Sequence, residues 1–507
     1  MALPPRIRQW INSDVCIIVL LASARFLLHT LANSQYGFHR DELLTLDNAG
    51  HLGWGYVVYP PLTPLLARIE LELFGPSLRG FRFFAALSQA LLVLITGLAA
   101  RELGAKRQGQ LAAACAVAIS GYSLFSGGFL SYSSFDYLWW PLIGYFVIRL
   151  LKSDDARWWV AIGVTIGVGM MTKYTMGFFA LGIAGGVLLT PARRFLKGLW
   201  LWLGVVASVL ISLPNFFWQL HHDFISLDFL RSIHARDIQW GWTDHFVPNQ
   251  FLNNINFVTI PLVFFGLWFV FAVPEGKRYR LLGWMYVIPF VAFFLARGRD
   301  YYLAPAYPML FAAGAFWGEQ KVLSLPPQRA SILLRRMWIT FAIAGLCAAS
   351  VTMPIAPINS RWWHFANRVN GNFHYEVGWP DLVATLANVR DSLPARDRAR
   401  LGILAADDGQ AGAVNLYGPA YGLPSAISGM NSNWLRGYGQ PPPETLITVG
   451  FKPEMLVQNF ETCELSARIT NRYGIDNRSI DGYDEVFICR GLRWPWPEFW
   501  RRFRYFG

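Results

Sequence analysis

The sequence predicts a polytopic α-helical membrane protein with a C-terminal extracytoplasmic mixed α/β domain. Three observations carry that expectation. Of the 507 residues, 54% are hydrophobic and only 15% are charged, whereas soluble domains carry about 25% charged residues. The apolar residues fall in repeated blocks of about twenty, the length that crosses a bilayer as a helix. After Pro354 those blocks stop, and short apolar runs alternate with turn residues. This composition excludes a soluble enzyme, a disordered chain and a fibrous protein.

The first apolar block runs from Val15 to Ala32, behind a polar start that holds Arg6 and Arg8. No small-residue cleavage site follows it, so a retained helix is expected rather than a removed signal peptide. Further helices are expected near 81–100, 109–128, 135–151, 158–172, 174–190, 199–220, 255–273, 281–296, 303–318 and 337–353, about eleven in all. Residues 158–190 are too long for one span and break at Lys173.

The loops alternate in charge. One set carries Arg101, Lys106 and Arg107, then Lys152 and Arg157, then Arg193, Arg194 and Lys197, then Lys277, Arg278 and Arg280, and last Lys321, Arg329, Arg335 and Arg336. The other holds most acids, among them Asp41, Glu42, Asp47, Asp136, Asp223, Asp237, Asp244 and Asp300. Clustered Lys and Arg belong on the cytoplasmic side. The N-terminus is therefore expected inside and the C-terminal domain outside, in a multi-pass membrane protein. The net charge of +12, from 44 Lys+Arg against 32 Asp+Glu, reflects that bias; no zinc-finger, helix-turn-helix or phosphate-loop pattern suggests nucleic acid.

Two domains are expected: 1–354, the membrane domain with interfacial helices in its outward loops, and 355–507, the outer domain. Leu401–Ala405, Leu446–Val449 and Glu485–Cys489 read as strands. The tail from Trp494 to Phe506 fits an interfacial segment or a surface tail equally well. Cys16, Cys115 and Cys347 lie in apolar blocks and read as small core residues. Cys463 and Cys489 are the only cysteines of the outer domain, and an extracytoplasmic compartment permits their oxidation to a disulfide.

The densest polar cluster lies in the first outward loop, around Asp41 and Glu42 with His39 and Arg40 beside them. Adjacent residues on a helix do not share a face, so the two acids have different jobs. A carboxylate at an apolar wall can act as a general base; a hydrated loop with capping acids accounts for the same residues. Tyr59-Pro60-Pro61 then opens an amphipathic stretch, 62–74, suited to the interface. Asp136 is placed in the outward turn after the third helix, and Lys173 in the turn between the fifth and sixth. Ionisable residues next to hydrocarbon are costly and mark function by default, although Lys173 could instead snorkel into headgroups. Arg297 and Arg299, in RGRDYYLAPAYP, stand on the side where the charge rule disfavours them. With Tyr301 and Tyr302 they suit a lipid phosphate, or they pack against the outer acids. Arg25 and His29 in the first helix are expected to pair with polar groups of another helix.

The set HRDELLTLD…HLGWGYVVYPPLTPLLARI, YSSFDYLWW, MTKYTMGFF, PNFFWQLHHDF and RDYYLAPAYPML resembles the GT-C membrane glycosyltransferases. The branch it is most similar to holds bacterial relatives of protein O-mannosyltransferases and of lipid A aminoarabinose transferases. The likeness covers roughly residues 10–320, and LYGPAYGLPSAISGMNSNWL extends it into the outer domain. The resemblance implies a GT-C-like fold, a polyprenyl-phosphate sugar as donor, and an outward lipid, glycan or protein acceptor. It implies Asp41 as the catalytic acid of the first loop, Glu42 as the second member of its pair, and Asp136 as a further catalytic acid. Lys173, Arg297, Arg299, Tyr301 and Tyr302 would hold the donor phosphate; His39, Arg40, Tyr59 and His222 would line the substrate pocket. The aminoarabinose transferases carry charged residues just before the first-loop proline, where this chain has Val58 and Tyr59. No cofactor is called for, and a divalent metal has no support in the sequence.

A sugar on a polyprenyl phosphate already has a good leaving group. Transfer then needs a placed acceptor hydroxyl, a base for its proton and cations for the departing phosphate. Attack opposite the phosphate inverts the anomeric centre. The alternative is a transporter or lipid flippase, which would show two similar halves, broken helices and mid-bilayer charges. Here the halves differ and most charges sit at one surface. A structural or assembly protein would leave the first-loop cluster without a role.

Overall fold

The computed structural model describes residues 14–477, 479 and 483–507; Arg6 and Arg8 lie outside them. Each of the eleven expected apolar blocks overlaps a helix. Among the described residues, five helices are long and apolar enough to cross a membrane: Asp14–Ala32, Phe83–Leu103, Leu199–His221, Pro274–Leu295 and Pro327–Thr352. The number rises to seven if two bent pairs, Met176–Leu189 with Pro191–Lys197 and Phe246–Asn254 with Phe257–Ala272, each form one span. The other expected blocks are helices too short or too polar to qualify alone. The block at 109–128 is broken, with Arg107–Ala118 ending before Gly121–Ser126 begins.

The chain divides into two compact units, and not simply at 354. One comprises the described residues up to Asn33, Arg82–His221 and His234–Met353; the other comprises Ser34–Phe81, His222–Ile233 and Pro354–Gly507. The first loop, expected within the membrane domain, therefore packs with the C-terminal region.

The helical unit buries small and aromatic residues together, with Ala99, Ala113, Trp140, Phe179 and Leu310 in one continuous core. Gly163 and Gly204 bring two of its helices into backbone contact, since a Cβ on either would meet the other helix's main chain. Such small-residue contacts replace the hydrophobic drive that is missing between helices in lipid. Helix Pro327–Thr352 buries little, and its Cys347 is exposed rather than a core residue. Cys16 is buried and Cys115 half-buried.

The second unit is built on a five-stranded sheet. Its strands are β1 (Leu401–Ala405), β2 (Ala426–Ile427), β3 (Thr445–Val449), β4 (Phe460–Arg468) and β5 (Glu485–Leu492), ordered β2-β1-β3-β5-β4. β1 runs parallel to β2 and β3, while β5 is antiparallel to both β3 and β4. Cys463 and Cys489 are register partners on β4 and β5 and are joined by a disulfide.

The C-terminal tail packs on the sheet rather than lying loose on the surface. Helix Trp496–Arg502 buries Phe499 and Trp500, and with Phe503 they pack on Leu404, Leu446, Phe460 and Phe487 of the sheet. The indoles of Trp434 and Trp500 donate to each other's carbonyls at 2.7 and 2.9 Å. Phe499, Trp500 and Phe503 are core, because burying such rings is worth more than leaving them at a surface, while Trp494 stays exposed.

Candidate functional site

In the second unit, helix Arg40–Ala49 carries the first-loop acids, and its start is fixed by a capping box. His39 is the N-cap; its Nδ1 accepts from the Asp41 N–H at 3.1 Å, while the His39 N–H donates to the Glu42 carboxylate at 2.9 Å. Glu42 is fully buried in this cap. Asp41 points elsewhere, with its side chain 51% exposed and its carboxylate 3.5 Å from Arg40 Nε. His39 Nδ1 is 3.8 Å from the same carboxylate, but that nitrogen already accepts a hydrogen and so offers none.

The rest of this helix is tied to residues far along the chain. Asp47 accepts from Asn415 Nδ2 at 2.8 Å and pairs with Arg436, which also donates to Asn48 Oδ1 at 2.6 Å. Tyr59 is buried: its hydroxyl accepts from Asn48 Nδ2 at 2.8 Å and lies 3.2 Å from Thr45 Oγ1, and burial pushes the phenol well up. His222 is half-buried just ahead of helix Ile225–Gln239, whose Ser226 donates to the Tyr56 carbonyl at 3.0 Å. Helix Leu62–Phe74 buries Thr63, Pro64, Ala67 and Glu70 and exposes Leu65, Ile69 and Leu73, the apolar face expected of an interfacial helix.

Asp407 and Asp408, which the sequence reading passed over, belong to the same neighbourhood. Asp407 lies 3.3 Å from Arg40 Nη2 and caps helix Asp408–Tyr417. This attraction holds the Arg40 guanidinium well above its usual range. Asp408 is buried and accepts from Asn431 at 2.5 Å and Asn433 at 2.7 Å. Burial, and then the Asp407 charge, push its carboxyl up to about 7. Both asparagines belong to the segment whose resemblance extends into the outer domain; the acids stand apart from any catalytic spacing.

In the helical unit the polar residues meet around Lys173. Asp136 is not in a turn; it is buried in the first turns of helix Tyr132–Ser153. Its carboxylate accepts from Trp140 Nε1 at 2.9 Å and Thr175 Oγ1 at 3.0 Å, and lies 3.7 Å from Lys173 Nζ. The ammonium is 5.1 Å from the Tyr132 ring centre and 4.9 Å from those of Tyr301 and Tyr302. Its nearest acceptor is Ser133 Oγ, at 3.5 Å. Lys173 is thus enclosed rather than snorkelling, with weakly engaged donors.

The two arginines are spoken for. Arg299 forms a two-pronged pair with buried Asp237, at 2.5 and 2.6 Å, and lies over the Trp242 ring. Arg297, more than half exposed, pairs with Asp244 at 2.9 Å. Arg25 reaches Ser123 Oγ on a neighbouring helix at 3.5 Å. No group of three or more His, Cys, Asp or Glu residues with metal-binding geometry occurs among the described residues.

Residues 58–218 match the family model for dolichyl-phosphate-mannose-protein mannosyltransferase. Over 94% of this chain and 97% of its own, ArnT from Cupriavidus metallidurans, solved with undecaprenyl phosphate, superposes with a TM-score of 0.53 at 16% identity. The chain has the GT-C glycosyltransferase fold. The Archaeoglobus fulgidus oligosaccharyltransferase shares that GT-C fold over 86% of this chain and 68% of its own, with a TM-score of 0.53 and 14% identity. Among curated relatives, the lipid A galacturonosyltransferase RgtD of Rhizobium johnstonii is 26% identical, covering 46% of this chain and 50% of its own. The undecaprenyl phosphate-α-4-amino-4-deoxy-L-arabinose arabinosyl transferase 1 of Pseudomonas fluorescens is 27% identical, covering 56% and 53%. The chain spans about half the length of these curated relatives. The GT-C resemblance seen in the sequence motifs is thereby supported by family model, relatives and fold alike.

Proposed function

We propose that this chain is an integral-membrane glycosyltransferase that moves a sugar from a polyprenyl phosphate to an acceptor outside the cytoplasm. The observation that carries the reading is Lys173, an enclosed ammonium ringed by tyrosines with no acceptor closer than 3.5 Å among the described residues. An ammonium has three donors to satisfy, and a phosphate brings oxygens to all of them. Tyr301 and Tyr302 stand at the same cation and supply hydroxyls. Asp136 fixes the ammonium in place. The undecaprenyl phosphate in the ArnT structure and the donor in the arabinosyl transferase's name favour a polyprenyl phosphate; RgtD's name favours lipid A as acceptor.

Asp41 is the general base that takes the acceptor's proton, and displacement opposite the phosphate inverts the sugar carbon. Glu42 holds the helix that carries Asp41. Arg299 and Arg297, which precede Tyr301 in the chain and are each paired with an aspartate, are the further cations proposed for the donor phosphate. The N-terminus is cytoplasmic and the sheet-containing unit extracytoplasmic.

The test is transfer by purified protein in vesicles, from undecaprenyl phosphate carrying 4-amino-4-deoxy-L-arabinose or galacturonic acid, to lipid A. Release of undecaprenyl phosphate with glycosylated lipid A is the expected result. Lys173→Ala should raise the donor concentration needed at least tenfold, from loss of a charge-assisted contact worth about 1.5–3 kcal/mol. Donor carried across the vesicle membrane uncleaved would establish transport instead.

A further inference from the structure

Arg40 stands between two carboxylates that are held very differently. Its Nη2 is 3.3 Å from Asp407 and its Nε 3.5 Å from Asp41, and its guanidinium lies 5.7 Å from the centre of the Tyr375 ring. The Asp407 side chain is only 12% exposed. One of its oxygens, Oδ1, accepts from the Gly409 N–H at 2.7 Å as a helix cap, which leaves Oδ2 facing Arg40. Asp407 also lies two residues after the end of β1 and opens helix Asp408–Tyr417 as its N-cap, so both its backbone and its carboxylate are anchored. Asp41, half exposed, meets only Arg40 and His39 among the charged or titratable side chains described.

We infer that Asp407 is a positioning residue: by holding Arg40, it keeps the guanidinium from closing on Asp41 and leaves that carboxylate able to take a proton. The inference rests on the reading of Asp41 as the base. A free arginine beside a carboxylate tends to a two-pronged pair, which covers the lone pairs a base needs and stabilises its charged form. The fixed partner draws the guanidinium to the other side. The remaining groups nearby do not replace it. His39 is occupied as a cap acceptor, Tyr375 offers Arg40 its ring face, and Asp408 is engaged by Asn431 and Asn433. The Tyr505 hydroxyl donates to the Ala406 carbonyl.

Asp407→Asn separates the two jobs of this residue, because asparagine caps a helix as well as aspartate but carries no charge. Asp407→Ser does the same with a shorter side chain and guards against a folding artefact in either variant. The probe is a water-soluble carbodiimide with an amine, applied to the purified full-length protein across a pH series and read by peptide mass spectrometry. It couples to the protonated carboxyl, so labelling of Asp41 fades as pH rises.

In Asp407→Asn and Asp407→Ser the midpoint of that fade should move to lower pH by about half a unit, the scale of one charge contact near a surface. Arg40→Gln should move it upwards, and adding Asp407→Asn to Arg40→Gln should change it little further. A midpoint unchanged by Asp407→Asn, or one moved equally with and without Arg40, overturns the inference. Labelling does not depend on the chain's being a transferase, so the two readings fail separately. Where transfer can be assayed, Asp407→Asn should lower the neutral-pH rate about twofold while extending activity to more acid conditions.

Discussion

Asp408 couples the second unit to pH. Burial and the neighbouring Asp407 push its carboxyl up to about 7, against about 3.9 for an exposed aspartate. Between those values the folded chain binds more protons than the unfolded one, so stability falls as pH rises through the window. Asp408→Asn removes the titration. Melting followed from pH 3 to pH 8 should show the variant and the native chain alike at the acid end, with the variant more stable at pH 8. A variant less stable at pH 8 would mean that the fold selects the charged carboxylate. Asp41 and its neighbour give a second contrast. Asp41→Asn should melt normally yet turn over at least about a hundredfold slower, the usual worth of a general base. Glu42→Ala should do the reverse, losing about 1 kcal/mol of stability with its cap and less of its rate. The pair Asp41 and Glu42 was legible in the sequence because two acids beside His39 and Arg40 follow an apolar helix. Asp407 and Asp408 were not, since two acids after a short strand look like any surface turn until Arg40 and Asn431 are seen against them.

Elements follow the same division between what periodicity carries and what only packing decides. Each of the eleven blocks of apolar residues overlaps a helix among the described residues, because length and hydropathy survive any arrangement of neighbours. The strands at 401–405, 445–449 and 485–492 were legible for a related reason: β1 and β3 are almost wholly buried, and β5 is buried through its first half. β4 escaped notice, for FETCELSAR lies on the sheet's edge with most side chains exposed, and an edge strand need not alternate. Its hold on β5 includes the Cys463–Cys489 bond. Alkylation of unreduced, denatured protein should leave both cysteines unmodified, and Cys463→Ser with Cys489→Ser should lower stability by about 2–4 kcal/mol. Free alkylation of both would remove the bond. Asp136 lies in a helix rather than a turn, and its bond from Thr175, 39 residues along the chain, is a tertiary contact that no local pattern encodes.

At the scale of the whole molecule, the charge alternation of the loops makes a prediction that needs no structure. A reporter active only outside the cytoplasm should be active when fused after Pro354 and silent when fused near Lys277. The reverse pattern would invert every outward assignment. What the loop charges could not reveal is that the sheet-bearing unit is discontinuous, assembled from Ser34–Phe81, His222–Ile233 and Pro354–Gly507. That discontinuity has a consequence for biosynthesis. The segment carrying Asp41 emerges from the ribosome early, but the helix Asp408–Tyr417 that covers Leu43 and the Arg436 that pairs with Asp47 come from the last third of the chain. During translation the nascent first loop must wait, its Leu43 uncovered and Asp47 without its arginine, while span after span is inserted. Chains cut short by a late stop codon would reach the membrane with that loop still waiting, and quality-control proteases should find them by it.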